Sequence, residues 1–299
     1  MAGRLVAFGA ALLAGLTLVA AAHARNPQIA GLQVALRAYG LYNGPIDAIA
    51  GPKTVRGTKA FQRRAGIFVD GRAGLATRRA LGPLGMPVFG RRTLRRGVFG
   101  WDVSVLQFML ARHGQLVPVY GYFDRATERA LRRYQRSRRL AADGVAGPVT
   151  ISALRRAGHG VRPVRPTPAP PSGVRALLGH WARVYGVDPS LVRAVAWMES
   201  GFRPGLVSSA GARGVMQVLP STRTYVETVL LSKKVPNSVS GNIRIGVVFL
   251  RHLLREFHGS ETLALSGWYQ GPASVRRNGV RAGTKQFVAD VLALRNRGV

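Results

Sequence analysis

The stretch DPSLVRAVAWMES, residues 188–200, indicates an α-helix with well-defined ends. Asp188 is a good N-cap, and Pro189 suits the first helical position, where a missing N–H is no loss. Gly201 follows directly and predicts the end of the helix. Two later segments also carry apolar residues at helical spacing: NIRIGVVFLRHLLREFHG (242–259) and TKQFVADVLALR (284–295). No long alternating pattern indicates a strand, so the C-terminal part is predicted to be α-rich.

The same helix places its carboxylate, Glu199, on an apolar face. Val192, Val195 and Ala196 precede it by seven, four and three residues, the spacings that bring side chains together on one side of a helix. The helix ends shortly afterwards, so desolvation and the negative end of the helix dipole both predict a raised pKa for Glu199. A protonated carboxyl suits general acid catalysis of glycosidic cleavage. From the helix alone, a partly exposed glutamate bonded to a backbone group is an open alternative.

An internal repeat occupies the N-terminal half of the chain. TVRGTKAFQRRAGIFVDGRAGLATRRAL (54–81) matches TERALRRYQRSRRLAADGVAGPVTISAL (127–154) after a constant shift of 127 − 54 = 73 positions. The Leu-Gln pairs at Leu32 and Leu106 precede the two copies. Helical and turn signals predict three helices in each copy, with the third capped at Thr77 or Thr150; the pairs that match are Phe61/Tyr134, Gln62/Gln135, Asp70/Asp143, Gly71/Gly144 and Gly74/Gly147.

These LQ, (F/Y)Q, DG and G-x-x-T landmarks resemble the peptidoglycan-binding module of cell-wall proteins. The resemblance covers residues 26–86 and 97–157 and implies peptidoglycan glycan strands as a partner. The second copy departs from the pattern, with Tyr120 and Asp124 where the first copy has Asp47 and Gly51, so its ligand loop is expected to differ. The alternative is that both copies are spacers.

The remaining segments are a leader and a linker. Residues 1–24 combine Arg4, an apolar run and a small-residue site ending at Ala24, which predicts a signal peptide and export to the periplasm, cell wall or medium. An uncleaved membrane anchor is the alternative. Residues 158–173, GHGVRPVRPTPAPPSG, predict an extended linker that leaves a third domain, 174–299, to search near its anchor.

The amino-acid composition limits the classes of molecule that the chain is expected to bind. The net charge of +32 favours anionic polymers, and for an exported chain these are polymers of the cell envelope rather than nucleic acid. A composition bias with a solvated arginine surface explains the charge equally well. The six histidines are scattered and cysteine is absent, so neither a metal nor another cofactor is expected. Nothing in the sequence indicates a protein partner.

Four short motifs of the third domain together resemble the lytic transglycosylase domain: ES (199–200), SSAGARGVMQ (208–217), NI (242–243) and WYQGP (268–272). The resemblance implies a lysozyme-like fold with Glu199 as catalytic acid and base. It further implies that Tyr269 holds Glu199 through its hydroxyl, and that the glycan cleft is lined by Ser208, Met216, Gln217 and Gln270. Val215 and Gln270 replace the usual Leu and Asn of the family.

The resemblance predicts an enzyme that cuts the β-1,4 bond between N-acetylmuramic acid and N-acetylglucosamine and leaves a 1,6-anhydro end. The spacing of carboxylates agrees, because the next one after Glu199 is Glu227 and a two-carboxylate glycosidase needs a nearby partner. One glutamate would then act first as acid and next as base. A lysozyme-like hydrolase and a non-catalytic wall-binding protein are the alternatives.

Overall fold

The computed structural model of the chain describes residues 25–156 and 173–299. In these ranges the regular structure is helical, and β structure is limited to isolated bridge pairs. The prediction of a mainly α fold is confirmed. The predicted signal segment, 1–24, and the predicted linker apart from Gly173 lie outside the described residues. In the described ranges, no helix is long and apolar enough to cross a membrane.

Each copy of the repeat forms three α-helices, as predicted. The first module contains α1 (Pro27–Ala38), α2 (Pro52–Arg64) and α3 (Leu75–Ala80), followed by a 3-10 turn at Gly82–Leu84. The second contains α4 (Trp101–Arg112), α5 (Arg125–Ser137) and α6 (Pro148–Arg156). The two modules therefore share one order of elements, which is what the constant sequence offset indicates.

A buried glutamine explains most landmarks of the repeat. Gln62 Nε2 donates to Asp70 Oδ1 at 2.6 Å and to Thr77 Oγ1 at 3.0 Å, and Gly71 N donates to Gln62 Oε1 at 2.8 Å. The second module repeats these bonds through Gln135 with Asp143, Thr150 and Gly144. The buried amide thus uses both its nitrogen and its oxygen in hydrogen bonds. Because its partners are the Asp-Gly and Thr residues of the repeat pattern, these residues hold the third helix against the second.

The glutamine networks correct one prediction. Thr77 and Thr150 do not cap the third helices, because α3 already begins at Leu75 and α6 at Pro148. Each threonine hydroxyl instead accepts from the buried glutamine amide. The G-x-x-T spacing therefore reflects this hydrogen bond rather than a helix cap.

The Leu-Gln pair at the start of each copy builds a second network. Gln33 Oε1 accepts from the backbone N–H groups of Asp47 and Ala48, and Gln33 Nε2 donates to Thr54 Oγ1. In the second module Gln107 makes the equivalent bonds to Tyr120 N, Gly121 N and Thr127 Oγ1. The loop between the first two helices is thus held alike in both modules, although its side chains differ.

The two modules pack directly on each other through α1 and α4. Gly31 of α1 lies against the indole of Trp101, and a Cβ added at Gly31 would be 2.9 Å from the ring. The indole Nε1 donates to Gln28 Oε1 at 2.6 Å. Trp101 is almost fully buried, so this contact ties the modules into one unit.

The third domain contains seven helices within the described residues. They are α7 (Val174–Val184), α8 (Pro189–Ser200), α9 (Pro220–Tyr225) with a π-helical turn at Val226–Leu230, α10 (Val239–Glu256), α11 (Glu261–Gln270), α12 (Pro272–Asn278) and α13 (Ala282–Asn296). The helix α8 begins as predicted, since Asp188 accepts from Ser190 N. It ends at Gly201, whose φ of 61° is left-handed. The helix α8 is mostly buried and packs against α7 and α13 in the core.

The modules pack against the third domain, which corrects the expectation of an independently searching catalytic part. Arg64 of α2 donates to the carbonyls of Arg297 and Gly298 near the C-terminus. Arg175 of α7 donates to Ala38 O at 2.6 Å. One continuous hydrophobic core runs through all three units. The linker composition alone carried no information on this docking, because the contacts come from other segments.

Candidate active site

Glu199 lies in the last turn of α8, beside a cleft. Val192, Val195 and Ala196, which share its face, are completely buried, so this side of the helix enters the core. Glu199 itself is half-buried and lines the cleft. The indole Nε1 of Trp268 on α11 donates to Glu199 Oε1 at 2.7 Å. The glutamate is therefore oriented by a side chain rather than by a backbone group.

Burial raises the pKa of Glu199 from its ordinary value of 4.5 to about 7, although the hydrogen bond from Trp268 acts in the opposite direction. Removing a charge from water favours the neutral form, and among the described residues the only opposing influence on Glu199 is the hydrogen bond from Trp268. The raised pKa predicted from the apolar face is present in the structure. At neutral pH a large share of the protein carries Glu199 as an acid.

The cleft has a volume of about 410 Å³ and is lined by the third domain and by the second module. The third domain contributes the last turn of α8, the loop 206–212, the start of α9, and aromatic groups from α10, α11 and α13. Its lining residues include Met198, Glu199, Leu206, Ser208, Gln217, Phe249, Trp268, Tyr269 and Phe287. The other wall consists of Arg96, directly before the second module, and Tyr120, Tyr122, Asp124, Arg125 and Arg129 within it. A concave, largely apolar site with a few polar groups is typical of ligand binding.

Small residues shape the loop that follows α8. Asn242 Oδ1 accepts from Met216 N at 3.0 Å, and its Nδ2 donates to Arg213 O at 2.8 Å. Gly214, with φ of 79°, lies so close that a Cβ would be 2.6 Å from Asn242 Cγ. Ser200 Oγ donates to Val215 O at 2.7 Å from the other side. The ES, G-V-M-Q and NI motifs are thus one hydrogen-bonded assembly that positions the cleft wall.

Ser208 and Gln217 lie at the cleft, where the sequence resemblance places them. Ser208 Oγ accepts from Ala212 N at 3.1 Å and stays partly accessible. Gln217 Nε2 donates to the carbonyls of Leu206 and Gly214, both at 3.0 Å. The amide of Gln217 therefore fixes the loop, and its carbonyl oxygen is the end left for a ligand.

Two predicted cleft residues lie elsewhere. Met216 is completely buried and packs against Gly246. A Cβ added at Gly246 would be 2.6 Å from the Cβ of Met216. Gln270 Nε2 donates to Gly279 O, and its Oε1 accepts from Arg281 N and Thr284 Oγ1. Met216 is wedged between the loop and α10, and the longer amide of Gln270 joins α11 to α13. Neither residue lines the cleft.

The predicted contact between Tyr269 and Glu199 is also replaced. The hydroxyl of Tyr269 lies 3.3 Å from the hydroxyl of Tyr122, which belongs to the second module, while the neighbouring Trp268 holds the carboxylate. Tyr269 still lines the cleft, with its ring stacked on Phe287 at a centroid distance of 4.5 Å. Two adjacent aromatic residues on a helix point to different sides, which the motif alone left open.

The sequence interpretation missed every cleft residue from the second module. A signal existed in the two departures of the second copy. Tyr120 is nearly buried against the end of α8, where a Cβ at Gly201 would be 2.6 Å from Tyr120 Cβ, and Arg203 lies over its ring at 4.6 Å. Asp124 caps α5 by accepting from Thr127 N, and it also accepts from Tyr120 Oη. The departures therefore build the contact between module and third domain.

Comparison with known families agrees with this arrangement. The family model described as transglycosylase SLT domain matches residues 176–290, and the one described as putative peptidoglycan binding domain matches 25–81 and 100–154. The chain carries an SLT domain behind two peptidoglycan-binding domains. The SLT match begins in α7 and contains α8, the loop and α11, so it includes the Glu199 side of the cleft. The match to 100–154 contains the other wall.

Individual relatives cover parts of the chain. An N-acetylmuramoyl-L-alanine amidase of Mycobacterium tuberculosis, CwlM, is 42% identical over 32% of this chain and 25% of its own length. The soluble lytic murein transglycosylase of Salmonella typhimurium is 27% identical over 36% of this chain and 17% of its own. The solved soluble lytic transglycosylase of Escherichia coli aligns with a TM-score of 0.39 and 20% identity, over 57% of this chain and 29% of that one. The matched part of this chain spans a quarter or less of the length of each of these two curated relatives.

Proposed function

We propose that the protein is an exported lytic transglycosylase that cuts the β-1,4 bond between N-acetylmuramic acid and N-acetylglucosamine in peptidoglycan. The SLT domain and the similarity to lytic murein transglycosylases support the reaction class. The observation that carries the proposal is the state of Glu199: it faces a cleft, is oriented by Trp268, and has a pKa of about 7.

In the first step Glu199 gives its proton to the glycosidic oxygen as the bond to C1 breaks. The carboxylate that results then takes the proton of the 6-hydroxyl of the muramic acid sugar as that oxygen attacks C1. No water is consumed, and the product carries a 1,6-anhydro ring. The indole N–H of Trp268 helps in both steps because it holds the carboxylate and stabilises its negative charge at a distance of 2.7 Å.

The carboxylates around the cleft support this single-glutamate mechanism. Glu227 is not part of the lining, because it is buried against Arg223, Lys234 and the N–H of Val235. Asp124 does line the cleft, but both of its oxygens accept hydrogen bonds within the second module. Neither group is free to activate a water molecule or form a glycosyl intermediate.

A lysozyme-like hydrolase is the second candidate, and Asp124 is the observation that favours it. If the hydrogen bonds by which Asp124 caps α5 open when substrate binds, this carboxylate could act as a general base. It would then activate a water molecule on the wall opposite Glu199. The product then has a reducing end rather than an anhydro ring. Replacing Asp124 with Asn therefore distinguishes the two chemistries, since only the hydrolase depends on its ionisation.

We also infer that the two modules bring the enzyme to the wall. The support is the match of both to the peptidoglycan-binding family and the charge of +32, which attracts anionic envelope polymers at long range. Export is supported by the leader sequence, since peptidoglycan lies outside the cytoplasm.

The test is digestion of purified sacculi by the wild-type chain and by Glu199→Gln. The amide keeps the shape of the side chain and can still accept from Trp268, but it delivers no proton. We expect soluble fragments from the wild type and at least about a thousandfold slower release from the variant. Comparable rates from a folded Glu199→Gln protein would rule out Glu199 as the acid.

A further inference from the structure

The wall that the second module adds to the cleft is strongly basic. Arg125 and Arg129 both lie on α5, one helical turn apart, and both line the cleft with exposed side chains. Residues at this spacing lie on the same face of a helix, so their two guanidinium groups face the same space. The opposite wall carries Glu199, so anything held by the two arginines lies across the cleft from the catalytic carboxyl.

These two arginines lack the partners that their neighbours have. Glu128 is engaged by Arg132 at 3.2 Å and by Arg96 at 3.6 Å. Across 25–156 and 173–299, neither Arg125 nor Arg129 makes an ion pair or a side-chain hydrogen bond. Their donors are therefore available to a ligand.

The pair is not a general feature of the repeat. In the first module the equivalent positions are Pro52 and Arg56, so only one of the two charges is present there. Arg56 is exposed but is not part of the cleft. The second cation thus appears only where the module meets the SLT domain, together with Tyr120 and Asp124, which build that contact.

We propose that Arg125 and Arg129 bind carboxylates of the peptide stem that peptidoglycan carries on its muramic acid residues. This inference rests on the proposed function, since it assumes that the glycan strand lies in the cleft. The sugars of a peptide-bearing strand are uncharged, because their lactyl groups are bound as amides, so the stem supplies the anions. A guanidinium binds a carboxylate through two parallel hydrogen bonds and discriminates well against a neutral amide. The second module then selects peptide-bearing glycan at the site of cleavage.

The test measures binding, in the full-length Glu199→Gln protein so that no fragment is cut. Soluble peptidoglycan fragments are used in two forms, native and with the stem carboxylates chemically converted to amides. Calorimetry is done at about 0.15 M salt, where the long-range attraction of the net charge is screened. The variant pair is Arg125→Gln with Arg129→Gln. The matched control is Arg56→Gln with Arg136→Gln, which removes the same charge from exposed positions outside the cleft.

We expect the Arg125→Gln, Arg129→Gln protein to bind native fragments on the order of tenfold more weakly and amidated fragments unchanged. The control pair should bind both forms like its parent. Equal losses on native and amidated fragments, no loss on native fragments, or an equal loss in the control pair would each overturn the proposal. Failure of the proposed function has a different signature, namely that the wild-type chain releases no fragments from sacculi whatever the binding data show.

Discussion

Replacing Glu199 with Gln should stabilise the protein at neutral and alkaline pH while it removes activity. In the folded chain the pKa of Glu199 is about 7, against an ordinary value of 4.5. Between these two values the unfolded chain loses its proton while the folded chain keeps it, so the free energy of unfolding falls as pH rises. Above about pH 7 the folded chain bears the full free-energy cost of burying the ionised carboxylate. A neutral glutamine at this position has no such cost.

The size of this effect follows from the two pKa values. Their difference corresponds to an upper limit of about 3.4 kcal/mol, at about 1.36 kcal/mol for each pH unit. Because Glu199 is half-buried and lines the cleft, we expect about 2–3 kcal/mol of added stability from Glu199→Gln at about pH 8. Near pH 4 both states are mostly protonated, and the wild type and the variant should be equally stable.

Urea unfolding at the two pH values, followed by circular dichroism, measures the difference. A control of opposite sign is Glu227→Gln. Burial acts to raise the pKa of Glu227, but Val235 N–H, Arg223 and Lys234 outweigh it and lower the pKa. Its ionised form is thus stabilising above its unfolded pKa, and Glu227→Gln should destabilise the protein at about pH 8. If Glu199→Gln changed stability equally at both pH values, or lowered it at pH 8, the buried carboxyl could not have the raised pKa.

Three further predictions follow from the site. The hydrogen bond from Trp268 lowers the pKa of Glu199, so its loss in Trp268→Phe should raise that pKa and move the alkaline limb of the pH–rate profile of sacculus digestion to higher pH. The maximal rate should fall about tenfold because the carboxylate is no longer held; an unchanged profile would contradict this role. Asp124→Asn should leave the ratio of anhydro to reducing ends in the digest unchanged, and a shift in that ratio would favour the hydrolase. A chain that begins at residue 173 should cleave soluble glycan fragments at least about tenfold more slowly than the whole chain, because it lacks one wall of the cleft; rates equal to the full chain would show that the modules serve only as anchors.

The sequence allowed a good prediction of the fold because its signals are local. Caps at Asp188 and Gly201 and the apolar spacing before Glu199 depend on residues within one helix. The repeat was equally clear, since the glutamine networks of Gln62 and Gln135 require the same few residues at the same spacing in both copies. Patterns of this kind can be recognised without knowledge of the tertiary contacts.

The cleft was predicted only in part because its geometry depends on contacts between distant segments. The rotation of α11 about its axis decides whether Trp268 or Tyr269 contacts Glu199. The sequence motif does not specify this rotation. Met216 was assigned to the cleft by the family resemblance, yet it is buried together with Val215, whereas the next residue, Gln217, lines the cleft. Tyr120 and Asp124 stood out in the repeat comparison, but their partner Gly201 lies beyond a proline-rich segment, so no local pattern joins them.

Mass spectrometry of sacculi digested by the wild-type chain addresses the reaction itself. The fragments are compared with those from a hydrolase that leaves reducing ends, and a parallel digest with Glu199→Gln controls for contaminating enzymes. Glu199 acts as acid and then as base, and Asp124, the other carboxylate among the described cleft residues, is held by hydrogen bonds through both oxygens. The muramic acid ends should therefore be lighter by one water than hydrolysed ends and should not react with borohydride. Predominantly reducing, borohydride-sensitive muramic acid ends would contradict the transglycosylase mechanism.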